Sequence, residues 1–444
     1  MSVFGVYGVN NASSIIYYGL HALQHRGQES AGIVTFNQEG EQFSRKGRGL
    51  VHEVFDANSL TALHGTMGIG NVLYSNAGQG TTDNLQPFFF HHGFGNFAIT
   101  SEGAITNAGQ IVEYLESKGS LFQTKMSSEL IAHLIRKESN KPRIYQIIDA
   151  LNMLEGSFSL LIMTRNRIYA CRDKYGFKPL SIGRLGDGYV ISSETCAFDI
   201  VGAEFIRDIE PGEIVTLDYH GIRSNRYSHF QRHKMCAMDY IYFARPDSDI
   251  DGCNVHAYRK ESGRLLYREC PCEADIVIGV PDSSLSAAMG YAEEGGLPYE
   301  IGLVKSKYVG RTFIQPTQEM REQGVKMKLS AVRSIVAGKR VAMVDDSIVR
   351  GTTSLKIVKL LRDAGATQVH VRIASPQMQH PCFYGVDTTT EDQLLCSHRT
   401  LEEACAAIGA DSLGFLSCKS AIAASGRSDM CLACFNGEYP TLLY

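Results

Sequence analysis

The stretch at residues 341–354 constrains the fold of this chain more than any other. It reads V-A-M-V-D-D-S-I-V-R-G-T-T-S, which joins a short apolar strand, two adjacent carboxylates and a turn of small residues. Leu355, Val358 and Leu361 then recur at helical spacing, and Gly365 is placed to end the helix. A continuous apolar strand followed by such a helix is typical of a parallel sheet buried on both faces. The pattern predicts an α/β fold for this half of the chain.

The polar residues of this stretch predict a site for a sugar phosphate. At the carboxyl end of a parallel strand, Asp345 and Asp346 can face the hydroxyls of a sugar or a hydrated magnesium ion that the sugar carries. The turn adds backbone amides and hydroxyls that favour a phosphate at a helix N-terminus; they belong to Gly351, Thr352, Thr353 and Ser354. Alternatively, these residues only start and cap the helix. Capping needs one such residue, whereas six polar or glycine positions occur here in a functional order.

Length and composition indicate two folded domains. A chain of 444 residues is too long for one ordinary core, so two domains of about 200 residues each are expected. Apolar residues make up 44% of the chain, and the formal net charge of −4 gives no basic surplus for nucleic acid. The sequence contains no apolar run long enough to span a membrane and no signal-peptide pattern. We therefore predict a cytoplasmic protein that binds neither nucleic acid nor membrane.

Two further segments of the second half carry polar or charged groups. Residues 274–284, A-D-I-V-I-G-V-P-D-S-S, form a second apolar strand that ends in a polar turn, which is either a ligand loop or an ordinary strand-to-helix turn. Residues 305–333 carry an excess of positive charge in an otherwise acidic chain. Such a run is either a solvated basic face or a loop that closes over a polyanion and excludes water.

The twelve cysteines are concentrated in the second half, and none precedes Cys171. Disulfides are not expected in the cytoplasm, so these thiols are either metal ligands or small buried apolar groups. Cys431 and Cys434 form a C-x-x-C pair, a spacing that suits zinc or iron. The spacing alone leaves both metals open.

Motifs along the whole chain resemble one enzyme family. The first half contains L-Q-H-R-G-Q-E-S-A-G at 23–32, G-N-V-L-Y-S-N at 70–76, D-N-L-Q-P at 83–87 and L-F-Q-T-K-M-S-S-E at 121–129. With the stretch at 341–354, these motifs resemble the iron-sulfur branch of the glutamine phosphoribosylpyrophosphate (PRPP) amidotransferases. The resemblance implies a class II glutamine amidotransferase domain at 1–229, with an αββα sandwich like that of N-terminal-nucleophile hydrolases. It also implies a doubly wound, parallel-sheet type I phosphoribosyltransferase domain at 230–444, with a C-terminal cluster-binding tail.

The glutaminase site departs from the family pattern at each of its key positions. Met1 occupies the place of the nucleophilic cysteine, and Leu73 replaces the arginine that binds the glutamine carboxylate. The oxyanion-hole turn reads Ser101-Glu102-Gly103, in which a carboxylate replaces the asparagine. Ser127 replaces the aspartate that holds the amino group of glutamine. Removal of Met1 would expose Ser2, one position out of register with the family nucleophile. We therefore predict a degenerate glutaminase. The retained residues Arg26, Gly27 and Tyr74 are predicted to be structural rather than catalytic.

The resemblance assigns a full set of sites to the second half. Its catalytic residues are Asp345, Asp346, Lys305 and Lys326, and Lys326 lies where the family often has arginine. Its PRPP-binding residues are Ser283, Lys307, Arg311, Lys328, Ser347, Arg350, Gly351, Thr352, Thr353 and Ser354. Mg²⁺ is expected at Ser283, Asp345 and Asp346, and a [4Fe-4S] cluster at Cys236, Cys382, Cys431 and Cys434.

These assignments imply a phosphoribosyltransferase whose own ammonia source is lost. The leading prediction is an enzyme of purine biosynthesis that transfers the 5-phosphoribosyl group of PRPP to ammonia, either free or supplied by a separate glutaminase. The alternatives are transfer to another amine, or a non-catalytic paralogue that binds phosphoribosyl ligands and regulates an active partner. A homo-oligomer, dimer or tetramer, is the family-level expectation.

Overall fold

The computed structural model describes residues 1–74, 82–93, 95–137, 141–228, 233–306, 329–388 and 390–443. The strands of the first half are β1 (Ser2–Tyr7), β2 (Ser30–Phe36), β3 (Gln42–Arg48), β4 (Met67–Leu73), β5 (Phe88–Phe90), β6 (Phe97–Ile105), β7 (Gly156–Thr164), β8 (Arg167–Arg172), β9 (Ser181–Leu185), β10 (Gly188–Ser192), β11 (Glu204–Asp208), β12 (Glu213–Asp218) and β13 (Gly221–Arg226). Its helices are α1 (Ala12–Ala22), α2 (Val51–Val54), α3 (Ala57–Ala62), α4 (Ala108–Glu116), α5 (Ser127–Arg136), α6 (Arg143–Asn152) and α7 (Cys196–Val201).

The first half is a four-layer αββα sandwich, as predicted. One antiparallel sheet has the order β11-β9-β10-β1-β4-β2-β3, and the other has the order β13-β12-β8-β7-β6-β5. The core between the sheets is built from apolar side chains of both, such as Val3 and Ile69 from one and Leu161 from the other. Helices α1 and α7 cover the outer face of the first sheet, and α4, α5 and α6 cover that of the second.

The second half contains a parallel sheet with helices on both faces. Its strands are β14 (Asp249–Ile250), β15 (Cys253–Asn254), β16 (Ile276–Gly279), β17 (Leu303–Lys305), β18 (Leu329–Ala331), β19 (Arg340–Asp345), β20 (Gln368–Ile373) and β21 (Ser412–Phe415). Its helices are α8 (Val255–Glu269), α9 (Leu285–Gly295), α10 (Arg333–Val336), α11 (Thr352–Asp363), α12 (Leu401–Ile408), α13 (Cys418–Ala424) and α14 (Ala433–Asn436), and a π-helical turn spans Asp239–Phe243.

The parallel sheet has the order β16-β19-β20-β21. Helices α11 and α12 pack on one of its faces, and α8 and α9 pack on the other. Every residue of β19 from Val341 to Asp345 is buried, because helices cover both faces of a central parallel strand. This is the doubly wound architecture that the family resemblance implied, and the buried parallel strands agree with the α/β fold predicted from their apolar residues.

The two halves are in direct contact. The Ser157 hydroxyl of β7 donates a hydrogen bond to the Tyr384 carbonyl oxygen at 2.7 Å, and the rings of Phe177 and Tyr384 stack with centroids 4.3 Å apart. The predicted boundary between residues 229 and 230 lies outside the described residues, so the domain limits stay a prediction. In the described ranges, none of the helices is long and apolar enough to cross a bilayer.

Candidate functional site

The aspartate pair lies at the carboxyl end of the central strand. Asp345 is the last residue of β19, and each of the two aspartates is 7% exposed. The hydroxyl of Ser284 and the amide of Asp346 both donate to Oδ1 of Asp345 at 2.9 Å. The hydroxyl of Ser347 donates to Oδ1 of Asp346 at 2.6 Å, and the hydroxyl of Ser283 donates to its Oδ2. Two neighbouring turns therefore meet at these carboxyl groups.

The electrostatics of this pair are unfavourable in the free protein. Burial, followed by the neighbouring charge of Asp346, raises the pKa of Asp345 to about 8. Burial also raises the pKa of Asp346, against the effect of the hydroxyls that donate to it. No Lys, Arg or His of the described chain forms an ion pair with either carboxylate. A cation or a set of sugar hydroxyls would relieve this repulsion.

The predicted phosphate turn, residues 351–354, follows directly and opens α11. Gly351 is its N-cap, with φ of 78°, and a Cβ at this position would lie 3.0 Å from Leu395. Thr352 and Thr353 are exposed, whereas the side chain of Ser354 is buried. Because the first amides of a helix have no partners within it, this turn presents free donors next to two exposed hydroxyls. Arg350 is also exposed at this turn.

The basic segment is only partly within the described structure. Lys305 ends β17, and its ammonium group forms an ion pair with Asp282 at 2.7 Å. The pair places one predicted cation beside the turn that bears Ser283. The other predicted cations, Lys307, Arg311, Lys326 and Lys328, lie outside the described residues.

Three residues near the aspartates were not among the sequence predictions. Ser284 and Asp282 flank Ser283, and their contacts depend on the approach of β16 to β19. Arg259 of α8 is 4% exposed, donates to the carbonyl oxygens of Tyr240 and Ala244, and is attracted by the charge of Asp346. A sequence signal for Arg259 existed, since an arginine interrupts the apolar face of α8 next to Tyr258.

The predicted glutaminase positions all belong to the first half, and three of them, Met1, Glu102 and Gly103, line one cavity. The α-amino group of Met1 donates to the Arg26 carbonyl oxygen at 2.5 Å, and burial lowers its pKa from 8.0 to about 5. Leu73, at the end of β4, is 4% exposed and belongs to the apolar core under the second sheet. Ser127 begins α5. Neither Leu73 nor Ser127 provides a charge for a zwitterionic amino acid.

Glu102, which was predicted at the oxyanion-hole position, is held in a buried ionic network. Its carboxylate accepts from the Arg26 guanidinium at 2.8 Å and from the Ser193 hydroxyl at 3.0 Å. Arg26 also donates to Glu194 at 2.7 Å and to Asp239 at 2.6 Å. Asp239 belongs to the second half, so the network joins the two halves of the molecule.

A small cavity remains between these groups. It has a volume of about 30 Å³, and its lining includes Met1, Glu102 and Gly103 from the first half and Phe243 and Gly385 from the second. This volume, formed by described residues, is enough for one or two water molecules. Ligand pockets for small molecules are usually about 300–1,000 Å³.

Four cysteines from three separate segments converge near the π-helical turn. Cys236 forms a parallel β-bridge with Cys431, and the thiol of Cys434 interacts electrostatically with those of Cys382, Cys236 and Cys431. Cys236 and Cys431 are each 7% exposed and Cys434 is 6% exposed. Burial raises the pKa of Cys236 to about 12. In the described part of the chain, no three His, Cys, Asp or Glu side chains are close enough to share one metal ion.

Comparison with known proteins identifies the family. The model of the glutamine amidotransferase domain matches residues 76–199, and that of the phosphoribosyl transferase domain matches residues 264–380. The amidophosphoribosyltransferase of Bacillus subtilis (strain 168) is 52% identical over 100% of this chain and 94% of its own length. The chain belongs to the amidophosphoribosyltransferase family. That of Methanocaldococcus jannaschii is 45% identical over 99% of this chain and 97% of its own length.

Solved structures agree with this assignment over the whole fold. The glutamine PRPP amidotransferase of B. subtilis, in complex with ADP and GMP, superposes with a TM-score of 0.95 at 51% identity, covering 100% of this chain and 98% of its own. The family predicted from the motifs is thus confirmed, and this member of the amidophosphoribosyltransferases is a phosphoribosyltransferase.

Proposed function

We propose that this chain transfers the 5-phosphoribosyl group of PRPP to ammonia and forms 5-phosphoribosylamine for purine biosynthesis. The observation that carries the proposal is the buried Asp345–Asp346 pair, which lies beside a phosphate turn at the end of the central strand. The relatives named amidophosphoribosyltransferase support the reaction class. Another similar solved structure is that of an allosteric regulatory enzyme of purine biosynthesis, which supports the pathway.

Each part of the site has a role in this reaction. Thr352, Thr353 and the free amides of α11 hold the 5-phosphate, while Asp345 and Asp346 orient the ribose through its hydroxyls. The displacement proceeds with inversion at C1 through an oxocarbenium-like state, so no side chain has to act as the nucleophile. Electrostatic stabilisation of the separating charges is the main contribution of the protein.

The oxygen-rich donor set fits magnesium. Asp345, Asp346 and Ser283 provide only hard oxygen ligands, and Mg²⁺ is commonly bound through one or two carboxylates together with substrate phosphates. When bound with PRPP, the ion would neutralise charge on the leaving pyrophosphate. Lys305, and Lys326 with the other cations of the basic segment, supply further positive charge to the same leaving group.

The first domain, taken as residues 1–229, acts in this proposal as a pseudo-glutaminase. Support comes from Glu102, because a carboxylate that is paired with Arg26 cannot donate a hydrogen bond to an oxyanion. The thioether of Met1 is not a nucleophile, and Leu73 offers no charge to the substrate carboxylate. The family relationship by itself does not require this loss, so the proposal rests on the residues at the site.

Ser2 is poorly placed to substitute for the missing nucleophile. Side chains alternate along a strand, and Val3 of β1 faces the core between the sheets, whereas Phe4 faces α1. Ser2 therefore points to the same side as Phe4, away from the side of Met1 and Val3. Ser2→Ala should leave any turnover with ammonia unchanged, and release of ammonia from glutamine that is lost in Ser2→Ala would overturn the pseudo-glutaminase.

We also propose a structural [4Fe-4S] cluster at Cys236, Cys382, Cys431 and Cys434. The thiols of Cys236, Cys431 and Cys434 are buried and that of Cys382 is partly buried, and four cysteine thiols form a donor set that suits iron-sulfur clusters. Thiolates around a four-iron cluster each bind a different iron and so stand farther apart than those around one zinc ion. A brown protein purified under anaerobic conditions with iron and sulfide supports the cluster, and a colourless protein with stoichiometric zinc contradicts it.

The decisive experiment compares two nitrogen sources. Pyrophosphate release from PRPP is measured with Mg²⁺ in saturating ammonium salt and, separately, in glutamine. Activity with ammonia alone supports the proposal, and equal activity with glutamine contradicts the loss of the glutaminase. If neither nitrogen source supports activity, the result favours transfer to another amine, or a regulatory paralogue that needs an active partner. A cytoplasmic location and a homo-oligomer stay predictions.

A further inference from the structure

A second, larger cavity lies in the first domain, at the end of the sandwich near the β7–β8 turn, where Phe36 and Gly40 of the other sheet also line it. Its volume is about 400 Å³, and its lining includes Arg143 at the start of α6, Arg165 in the turn after β7, and Arg167 and Tyr169 of β8. Asn96, just before β6, also lines it. We call this space the cationic cavity. It is formed by residues of the first domain, so none of the aspartates or cysteines discussed above contributes to it.

The positive charges of this cavity are incompletely balanced. In the described structure, neither Arg143 nor Arg165 has a carboxylate within ion-pair distance. Arg167 lies 3.3 Å from Asp218, but Asp218 is shared with Arg223. The lining residues contain no aspartate or glutamate. The cavity therefore carries a net positive charge.

Contacts with neighbouring side chains hold two of the guanidinium groups at the cavity. Arg143 stacks over the ring of Phe97 with 5.5 Å to the centroid and donates to the Gln146 side chain at 3.2 Å, which fixes its direction. Burial, and then the nearby charge of Arg136, lower the pKa of Arg143. A hydrogen bond with Tyr169 raises the pKa of Arg167, so its guanidinium approaches the phenol in the wall of the cavity. An anion bound in the cavity would offset the positive charge of the arginines that line it.

We propose that the cationic cavity binds a small phosphorylated anion. Arginine guanidinium groups offer paired donors that match phosphate oxygens, and Asn96 and Asn166 add amide donors to the same lining. A solvated basic surface would explain Arg165 alone, because its side chain is exposed. It does not explain why Arg143 is half buried at the same place.

The volume of the cationic cavity limits the size of the ligand. A space of about 400 Å³ lies within the range of about 300–1,000 Å³ that is usual for small-molecule sites, and one inorganic phosphate would leave most of it empty. Pyrophosphate and ribose 5-phosphate are therefore the informative probes. The first tests binding of the phosphate groups alone, and the second tests whether a sugar adds affinity.

The experiment must separate this cavity from the PRPP site, which also binds phosphates. Hydrogen exchange of the full chain is measured with and without each probe in magnesium-free buffer. We expect slower exchange in residues 143–150 and 164–169 of the first domain, in addition to any protection near residue 351. Protection confined to the second domain would overturn the proposal, whatever the outcome for the phosphoribosyl transfer.

Three variants test the arginines directly. Arg165→Gln changes an exposed side chain and should preserve the fold, while Arg143→Gln removes the half-buried guanidinium. Each should weaken the first-domain affinity for the better probe about tenfold, the effect of losing one charge-assisted contact. The matched control is Arg184→Gln, an exposed arginine of β9 that stacks on Tyr189 at 5.6 Å outside the cavity. Unchanged affinity in Arg165→Gln and Arg143→Gln, or an equal loss in Arg184→Gln, would contradict the site.

Discussion

Two buried groups of carboxylates in this molecule have opposite electrostatics. Asp345 and Asp346 have hydroxyl and amide donors but no ion-pair partner among the described residues, and burial raises the pKa of both. Glu102, in contrast, is paired with the Arg26 guanidinium. Two buried carboxyl groups without an ion-pair partner favour the binding of a cation or a polyhydroxylated ligand, whereas a carboxylate in an ion pair is part of the scaffold. We therefore expect carboxylates to bind ligands in one domain, whereas in the other they form ion pairs of the scaffold.

Asp345→Asn should abolish phosphoribosyl transfer and stabilise the free protein. Because the pKa of Asp345 is about 8 in the folded state and about 3.8 in the unfolded state, the native protein binds the extra proton. The destabilisation caused by Asp345 therefore grows as the pH rises from 4 towards 8, and it disappears at lower pH. We expect the variant to gain on the order of 1–3 kcal/mol at pH 8, and little at pH 4, in denaturant titrations with EDTA. Full activity of the variant would mean that the site is misplaced.

Glu102→Gln should destabilise the protein without restoring a glutaminase. The amide keeps the shape of the side chain but removes the charge that faces Arg26, which costs about 2 kcal/mol for a hydrogen bond to a charged group. The free energy of unfolding in urea measures the loss. Glu204→Gln, at an exposed position of β11, is the control and should be close to neutral. A neutral effect of Glu102→Gln would show that the ionic network does not depend on this carboxylate.

At the scale of the secondary-structure element, the junction of β19 with α11 combines geometry and chemistry. The parallel register places Gly279 beside Val344, so that the turns after β16 and β19 end at the same edge of the sheet. Gly351 then reverses the chain with a positive φ before α11 begins. The aspartates and the phosphate turn are therefore held by two strands and one helix rather than by a long loop.

Gly351→Ala should weaken PRPP binding more than it destabilises the fold. The new methyl group would lie 3.0 Å from Leu395 in a backbone conformation that side chains rarely adopt, so the turn must shift. Gly338→Ala is the matched control, because its φ is 75° but nothing lies within 4 Å of its Cβ position. Both variants should lose about 1 kcal/mol of stability from the backbone. Only Gly351→Ala should raise the KM for PRPP, about tenfold or more, and equal KM values in both would contradict this role.

At the scale of the whole molecule, the C-terminal tail connects distant parts of the fold. The backbone of Cys431 forms a parallel β-bridge with that of Cys236, near the start of the second domain. The backbone amides of Gln379 and His380 both donate to the Cys434 carbonyl oxygen at 3.1 Å. The segment after Cys382 contacts the first domain through Tyr384. The tail, the sheet edge and the domain junction therefore meet at the segments that carry these four cysteines.

Cys434→Ser should remove the cluster and loosen the tail. Because a metal that binds the folded state stabilises it, loss of one ligand should lower Tm and the bound iron together. Iron content, visible absorbance and Tm are measured under anaerobic conditions. Cys405→Ser in α12 is the control, since Cys405 lies outside the four-cysteine group, and it should retain iron and colour. Retention of full iron by Cys434→Ser would exclude Cys434 as a ligand.

Much of the candidate site could be predicted because its residues are close in sequence. Asp345 to Ser354 are consecutive, so a strand, a turn and a helix suffice to bring them together. The contact of Lys305 with Asp282, and that of Ser284 with Asp345, depend on neighbouring segments, and the sequence contained no sign of either. The other basic residues of 307–328 lie outside the described structure and stay predictions.

By itself, the sequence determined the periodicity of strands and helices, the order of the two folds and the chemical character of the phosphate turn, because these are encoded by local spacing. Only the tertiary structure decided that Glu102 pairs with Arg26, that Asp239 joins the same network, and that three arginines surround one cavity. These contacts join residues that are far apart in the chain. Which residues become partners depends on how the sheets and helices pack. The charge or hydrogen-bonding capacity of a residue shows that it needs a partner, but not which residue the partner will be.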